Sequence, residues 1–438
     1  MEVVYTNVKV SHSMIQARTA PKLHSFLRTH CALLLRYVLL GLLLVRCAPA
    51  DTGDSPKKAV FIILDGIPAD VIEKVETPAL DEIAATGGYS RSFVGGEKDG
   101  YSQSPTISAV GYNHVLTGVW ANKHNVWDND IEAPNYNYWN IFRIAQTADP
   151  GIRTAIFSSW TDNRTKLVGE GLPEAGAIKL DYSYDGLEHD TVRFPHTADR
   201  NFMHAIDEAV STEAARYLRK EGPDLSWVYL EFTDDMGHMY GDSPQFYDAI
   251  RKADAQVGRI WDAIRYREEN HNEEWMIVIT TDHGRDAETG KNHGGQSDRE
   301  RTTWIFTNLP DLNDHFRHTP AVTDIMPSVA RFMEVPIPSD VSAEIDGIPF
   351  IGEVSLCHLR ATRSDGTVEL TWDVHDPSGE LEVFVSTTNH FKDGQPDIYR
   401  SMGKTAVSAG NFTLPESPDG FLKIHIKAPH NEANVWIE

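Results

Sequence analysis

Three apolar, largely β-branched runs each break off at a metal-ligating side chain, and no other feature of this chain constrains its fold as strongly. Met276-Ile277-Val278-Ile279-Thr280-Thr281 ends in Asp282-His283-Gly284. Ala59–Leu64 ends in Asp65-Gly66, and Trp227–Phe232 runs into Asp234 and His238. Unbroken apolar runs of this length are the mark of strands buried on both faces. Open α/β sheets place their sites at the carboxyl ends of such strands. Asp and His delivered to three strand ends are expected to form a site for two divalent cations, the equipment of a hydrolase.

From Lys58 to about Gly352 apolar runs alternate with amphipathic segments. Strands are expected at Ala59–Leu64, Arg153–Ser158, Trp227–Phe232, Met276–Thr280 and Thr303–Phe306. Helices are expected at Asp70–Glu76, Tyr138–Gln146, Asp199–Lys220, Ser243–Glu269 and Thr323–Met333. A further helix at Pro78–Thr86 has Thr77 as N-cap, Pro78 in its first turn and Gly87 as C-cap. This alternation predicts an α/β fold, a largely parallel sheet sandwiched between helices.

The pattern changes near Glu353. Thr367–Val374, Glu380–Ser386 and Phe421–Lys427 alternate polar and apolar residues, separated by Asp-Gly and Pro-rich turns. Residues 354–438 are therefore expected to form a small β-sandwich, which resembles a fibronectin type III module in size and in the tryptophan of an early strand.

Residues 1–50 read as a signal peptide. The first 36 residues are basic, Tyr37–Val45 is apolar but short for a span, and Ala48-Pro49-Ala50 suits cleavage after Ala50. Met14 offers a second start, and a lipid anchor on Cys47 is the lesser alternative because Arg46 stands where a small residue is wanted. The expectation is a secreted, periplasmic or extracellular protein without a transmembrane span after cleavage. Its catalytic domain would cover residues 51–353. Of Cys31, Cys47 and Cys357 only the last would survive cleavage, so no intrachain disulfide is expected and Cys357 reads as a buried packing residue. A net charge of −24, from 64 acids against 40 Lys and Arg, argues against a general nucleic-acid surface.

The candidate ligands are Asp65, the D-x-x-x-H pair Asp234 and His238, the adjacent Asp282 and His283, and His293 in Lys291-Asn292-His293-Gly294. Zinc takes imidazole nitrogen and carboxylate oxygen, and a catalytic site keeps a position open. A hydroxyl nucleophile belongs between two such cations. The hydroxyl-rich stretch Ser104–Gly118 reads as a loop entering a helix, where the positive end of the dipole favours an alkoxide or a phosphate.

In order, Leu64-Asp65-Gly66, Thr77-Pro78, Leu116-Thr117-Gly118, Asp234-x-x-Gly237-His238, Asp282-His283-Gly284 and a later His-Gly resemble the alkaline phosphatase superfamily. Within it the chain is most similar to the type I phosphodiesterase and nucleotide pyrophosphatase branch, over roughly residues 58–352. The resemblance implies one zinc held by Asp234, His238 and His293. It implies another held by Asp65, Asp282 and His283 together with the nucleophile. Counting back from Thr117-Gly118 puts the nucleophile on Ser108, with Thr106 second. The branch's phosphate-binding asparagine falls on Gly111, with Asn113 as its replacement. The implied activity is cleavage of phosphodiester or pyrophosphate bonds in small organic esters through a phosphoserine. A phosphomonoesterase on the same scaffold is the alternative, and a metal-stabilised binding protein the alternative of another class. The C-terminal module is expected to offer a surface to a carbohydrate or protein partner.

Overall fold

The computed structural model describes residues 55–415 and 419–438. The leader expected over residues 1–50, with Cys31 and Cys47, lies outside the described residues. Among those described, no helix is long and apolar enough to cross a membrane.

A sheet of seven strands organises the larger part: β1 (Lys57–Leu64), β2 (Gly88–Phe93), β3 (Thr154–Ser158), β4 (Tyr182–Tyr184), β5 (Leu225–Leu230), β6 (Glu274–Thr280) and β7 (Thr302–Thr307). Their order is β2-β7-β6-β1-β5-β3-β4. The run β6-β1-β5-β3-β4 is parallel, and β7 and β2 close one edge antiparallel. The central strand β1 pairs Ile63 with Tyr229 on one side and with Thr280 on the other, so Asp65, the end of β5 and Asp282 arrive at one level. That register makes three separate sequence segments a single site.

Side-chain alternation splits the core into two layers. Phe61, Ile63, Trp227, Tyr229 and Val278 face helices α2 (Ser108–Thr117), α3 (Ile141–Ala148) and α7 (Ile325–Phe332). Val60, Ile62, Leu64, Val228, Ile277 and Ile279 face α4 (Asn201–Glu221) and α6 (Pro244–His271). Both faces are covered, which is why the strands read as unbroken apolar runs.

The helix expected at Pro78–Thr86, α1, is present. Its expected cap is not: the Thr77 side chain makes no capping bond. The carboxylate of Asp254, on α6, instead accepts from the backbone N–H of Ala79 (3.2 Å) and Leu80 (2.9 Å). A tertiary contact has replaced the local one.

Beyond residue 354 the chain forms two antiparallel sheets, with strand orders β11-β10-β13-β14 and β12-β9-β8. The strands are β8 (Leu356–Ser364), β9 (Thr367–Val374), β10 (Glu380–Ser386), β11 (Arg400–Ala406), β12 (Asn411–Thr413), β13 (Leu422–Lys427) and β14 (Glu432–Ile437). Leu370, Trp372, Val383, Leu422 and Ile424 fill the space between the sheets.

Candidate active site

Asp65 follows β1 and is buried. Its Oδ2 accepts from Tyr112 Oη and from Tyr229 Oη (2.7 Å), while Oδ1 is buried with no hydrogen-bond partner. Asp282 follows β6. Its Oδ1 accepts from Gly66 N–H (3.0 Å), and its Oδ2 is likewise buried and unpartnered. Both orphan oxygens approach one atom: His283 Nε2 lies 3.6 Å from Asp65 Oδ1 and 3.3 Å from Asp282 Oδ2. His283 Nδ1 donates to Gly284 O (2.9 Å), which leaves the Nε2 lone pair free.

An orphaned buried carboxylate oxygen is costly. Burial, with the charges of Asp282 and Asp234, pushes Asp65 well above its ordinary range, and burial pushes Asp282 up to about 7. Burial and the neighbouring His293 hold His283 well below its ordinary value. Two anionic oxygens and a neutral imidazole nitrogen facing one point are the donor set a divalent cation requires, and a cation there would offset the burial cost.

The second group sits beside the first. A turn of helix, α5 (Phe232–Tyr240), begins as β5 ends and carries Asp234 and His238 on one face, four residues apart. His238 Nε2 is 3.3 Å from Asp234 Oδ2 and 3.1 Å from His293 Nε2. Donor atoms of Asp234, His283 and His293 lie within 4.8 Å of one another, as do those of Asp65, Asp282 and His283. The His283 ring stacks on His293 with centroids 3.7 Å apart, so the two groups are contiguous. His293 Nδ1 donates to Thr106 O (2.9 Å), so the Nε2 that meets His238 carries the lone pair.

Ser108 opens α2, buried, with its Oγ 3.3 Å from His283 Nε2. Thr106, the second hydroxyl considered, is committed elsewhere: Oγ1 donates to Gly295 O (2.9 Å) and accepts from Gly294 N–H (3.0 Å). Its role is to hold the loop that carries His293. Asn113 is not brought to this place. It lines a small cavity with Thr117, Tyr136, Tyr138 and Arg143, and no candidate ligand borders that cavity.

Two residues at the site escaped the sequence reading. Asn129 Oδ1 accepts from the Ala109 N–H (3.0 Å) at the first turn of α2, but as part of Asp128-Asn129-Asp130 it looked like any polar turn. Tyr112 gave no signal because its helix face depends on packing. Arg285, two residues after His283, has an internal task. It is fully buried, gives Nε to Gly66 O (2.8 Å) and Nη1 to Lys291 O (3.1 Å), and pairs through Nη2 with the Asp234 carboxylate. Burial alone would raise Asp234; Arg285 holds it below its ordinary value. Gly237 makes room for this guanidinium, since a Cβ there would meet Arg285 Cζ at 2.3 Å.

A largely parallel sheet between helices, with acids and imidazoles gathered at its carboxyl edge, has the fold of the alkaline phosphatase superfamily. The structure of a 2-O GAG sulfatase matches it with a TM-score of 0.50 over 87% of this chain and 85% of that one, at 11% identity, a likeness of fold alone. The chain belongs to the type I phosphodiesterase / nucleotide pyrophosphatase family, whose sequence model matches residues 59–299. Ectonucleotide pyrophosphatase/phosphodiesterase family member 7 of Homo sapiens is 24% identical over 250 residues, 54% of this chain and 50% of the relative. Venom phosphodiesterase 2 of Crotalus adamanteus is 23% identical over 243 residues, 54% of this chain and 27% of the relative. The match spans half or less of the length of both.

Proposed function

We propose that this chain hydrolyses phosphodiester or pyrophosphate bonds in small organic esters, with Ser108 as nucleophile beside two divalent cations, Zn2+ by its donor set. The observation that carries this reading is the convergence of two unpartnered carboxylate oxygens, Asp65 Oδ1 and Asp282 Oδ2, on His283 Nε2 beside Ser108 Oγ. Asp234, His238 and His293 would hold one cation, and Asp65, Asp282 and His283 the other. When bound, the cations would lower the pKa of the serine hydroxyl and offset charge on the phosphoryl oxygens.

The residues then divide the work. Ser108 Oγ attacks phosphorus; its bond to phosphorus forms as the bond to the leaving alcohol breaks, giving a phosphoserine. Water cleaves that ester and restores the hydroxyl. The N-terminus of α2 favours the anionic phosphoryl group at Ser108. Asn129, at the same turn, supplies the side-chain amide that the family pattern would place at residue 111. Arg285 gives its donors to the protein, which supports a diester, with its single negative charge, over a monoester dianion.

The wording "ecto" and "venom" in the relatives' names agrees with a secreted or extracellular protein. The C-terminal sheets, of fibronectin type III size, are where a carbohydrate or protein partner would be sought.

The test compares bis-aryl and mono-aryl phosphates on the zinc-loaded protein, with chelator and with Ser108→Ala. Faster diester turnover, lost in both controls, is the expected result. Faster monoester turnover would transfer the reading to a phosphomonoesterase. Zinc binding without turnover of either ester would leave a binding protein.

A further inference from the structure

A second cluster of ligating side chains lies where the C-terminal sheets meet the α/β part, and none of its members belongs to the site at the strand ends. Cys357, on β8, is buried with its Sγ 2.9 Å from His375 Nε2 and 3.3 Å from His358 Nδ1. His315, from the segment before α7, completes the group: one donor atom each from His315, Cys357 and His358 lies within 4.8 Å of the other two.

The state of His315 distinguishes this cluster from ordinary packing. Its Nε2 donates to Asp324 Oδ2 at 2.8 Å. Its Nδ1 is buried and has no hydrogen-bond partner. A carboxylate behind one ring nitrogen fixes the tautomer and leaves a lone pair on the other, which is how metal-bound imidazoles are oriented. Asp324 is itself held rigidly, accepting from the backbone N–H of Ala321 (2.7 Å) and of Ile348 (2.7 Å). His358 Nδ1 donates to Asp373 Oδ2 (2.7 Å), which leaves Nε2 as the nitrogen it would offer a cation.

The backbone is arranged to the same end. The β8–β9 ladder shifts register between Cys357 and Arg360, and His358 at that bulge has φ +50°. An extra residue in one strand re-aims side chains. Here it lets the consecutive residues 357 and 358 both serve the cluster, whereas a regular strand would turn them to opposite faces. A cavity of about 390 Å³ borders His315 and His358 and offers a route in.

We propose that Cys357, His315, His358 and His375 form a second metal site, for a thiophilic divalent cation such as Zn2+, that staples the C-terminal sheets to the α/β part. Thiolate sulfur and imidazole nitrogen are both zinc donors, and His375 Nε2, 2.9 Å from the thiol, is near enough to join the other three residues. A cation there binds the Cys357 thiolate, so its binding would release the thiol proton to solvent. The site is independent of the hydrolytic reading, since it shares no residue with it.

The test is a Co2+ titration of the metal-depleted full chain, followed at the thiolate-to-cobalt charge-transfer band in the near ultraviolet. The carboxylates and imidazoles at the strand ends cannot give that band. At saturation it is expected to have the intensity of one thiolate–cobalt centre per chain, to vanish in Cys357→Ser and to persist in Asp234→Asn. Because Cys357→Ser could disturb the core, His315→Gln serves as the second variant. It should retain the far-ultraviolet circular dichroism of the parent and weaken the cobalt affinity read at this band by about tenfold or more. No band in the parent, a band of equal strength in Cys357→Ser, or unchanged affinity in His315→Gln would overturn the proposal.

Discussion

Gly111 lies against Asp282 so closely that a Cβ on it would come 2.6 Å from the Asp282 carbonyl oxygen and 2.8 Å from the Asp282 Cβ. The helix that presents Ser108 therefore packs backbone-first on the strand end that presents Asp282. An asparagine at 111, as the family pattern has, could not keep this spacing. Gly111→Asn should destabilise the protein by about 1–3 kcal/mol, the usual cost of overpacking, and should lower kcat more than it raises KM. Urea unfolding and steady-state kinetics check both parts. An unchanged midpoint with unchanged kcat would mean that α2 can retreat freely.

Tyr112 and Tyr229 both donate to the one carboxylate oxygen of Asp65 that does not face His283. They leave Oδ1 as the oxygen that faces the site. Tyr112→Phe keeps the ring and removes the donor. It should cost about 10–100-fold in zinc affinity with little change in melting temperature, read by competition with a chromophoric chelator.

Asn129→Ala removes the side chain that takes the Ala109 N–H. With its proposed amide contact to the phosphoryl group, the loss should appear as a fall of about tenfold or more in kcat/KM for diesters, with zinc content unchanged. Full activity would return the phosphate-binding role to another residue.

His114 and His124 form a fully buried pair, Nε2 of His124 2.8 Å from Nδ1 of His114, away from the candidate ligands in sequence. Burial holds His114 down to about 3, and burial with the neighbouring imidazole holds His124 well below its ordinary value. The folded state keeps both neutral, while the unfolded chain takes up their protons below about 6.5. Their contribution is therefore present above about pH 6.5 and lost as pH falls toward 3, at up to about 1.4 kcal/mol per pH unit for each group. Denaturant unfolding between pH 4 and 7 should show a shallower slope in His114→Gln than in the parent.

The Asp254 carboxylate caps α1 from a different helix. Asp254→Ala should cost about 1–2 kcal/mol, as loss of an N-cap does, while Thr77→Ala should cost less because the Thr77 side chain makes no capping bond.

Much of this was legible in the chain. The strands β1, β5 and β6 were visible because burial on both faces demands unbroken apolar runs, although β5 ends at Leu230 and Phe232, expected in the strand, opens the helix that carries Asp234; Asp65 and Asp282 follow their strands as expected. A strand must leave the sheet somewhere, and the residue type at that point is read directly. Side-chain direction on a helix was less accessible. Asn113 and Ser108 both lie on α2, yet only Ser108 reaches His283, because the face each occupies depends on how the helix packs against Asp282. Nor does the sequence around Arg285 show that burial would make it the partner of Asp234.

Sequence alone determined the α/β order of the larger part, the alternating strands after residue 354, and the chemical types gathered at the carboxyl ends of the central strands. These follow from local patterns: periodicity, strand length and the residue at which an apolar run stops. Tertiary structure decided which oxygen of each carboxylate was left unpartnered, which helix capped which, and that Cys357 and His358 would meet His315 and His375 from other segments. Those outcomes depend on register and approach distance between parts of the chain remote from one another, and no local pattern encodes them.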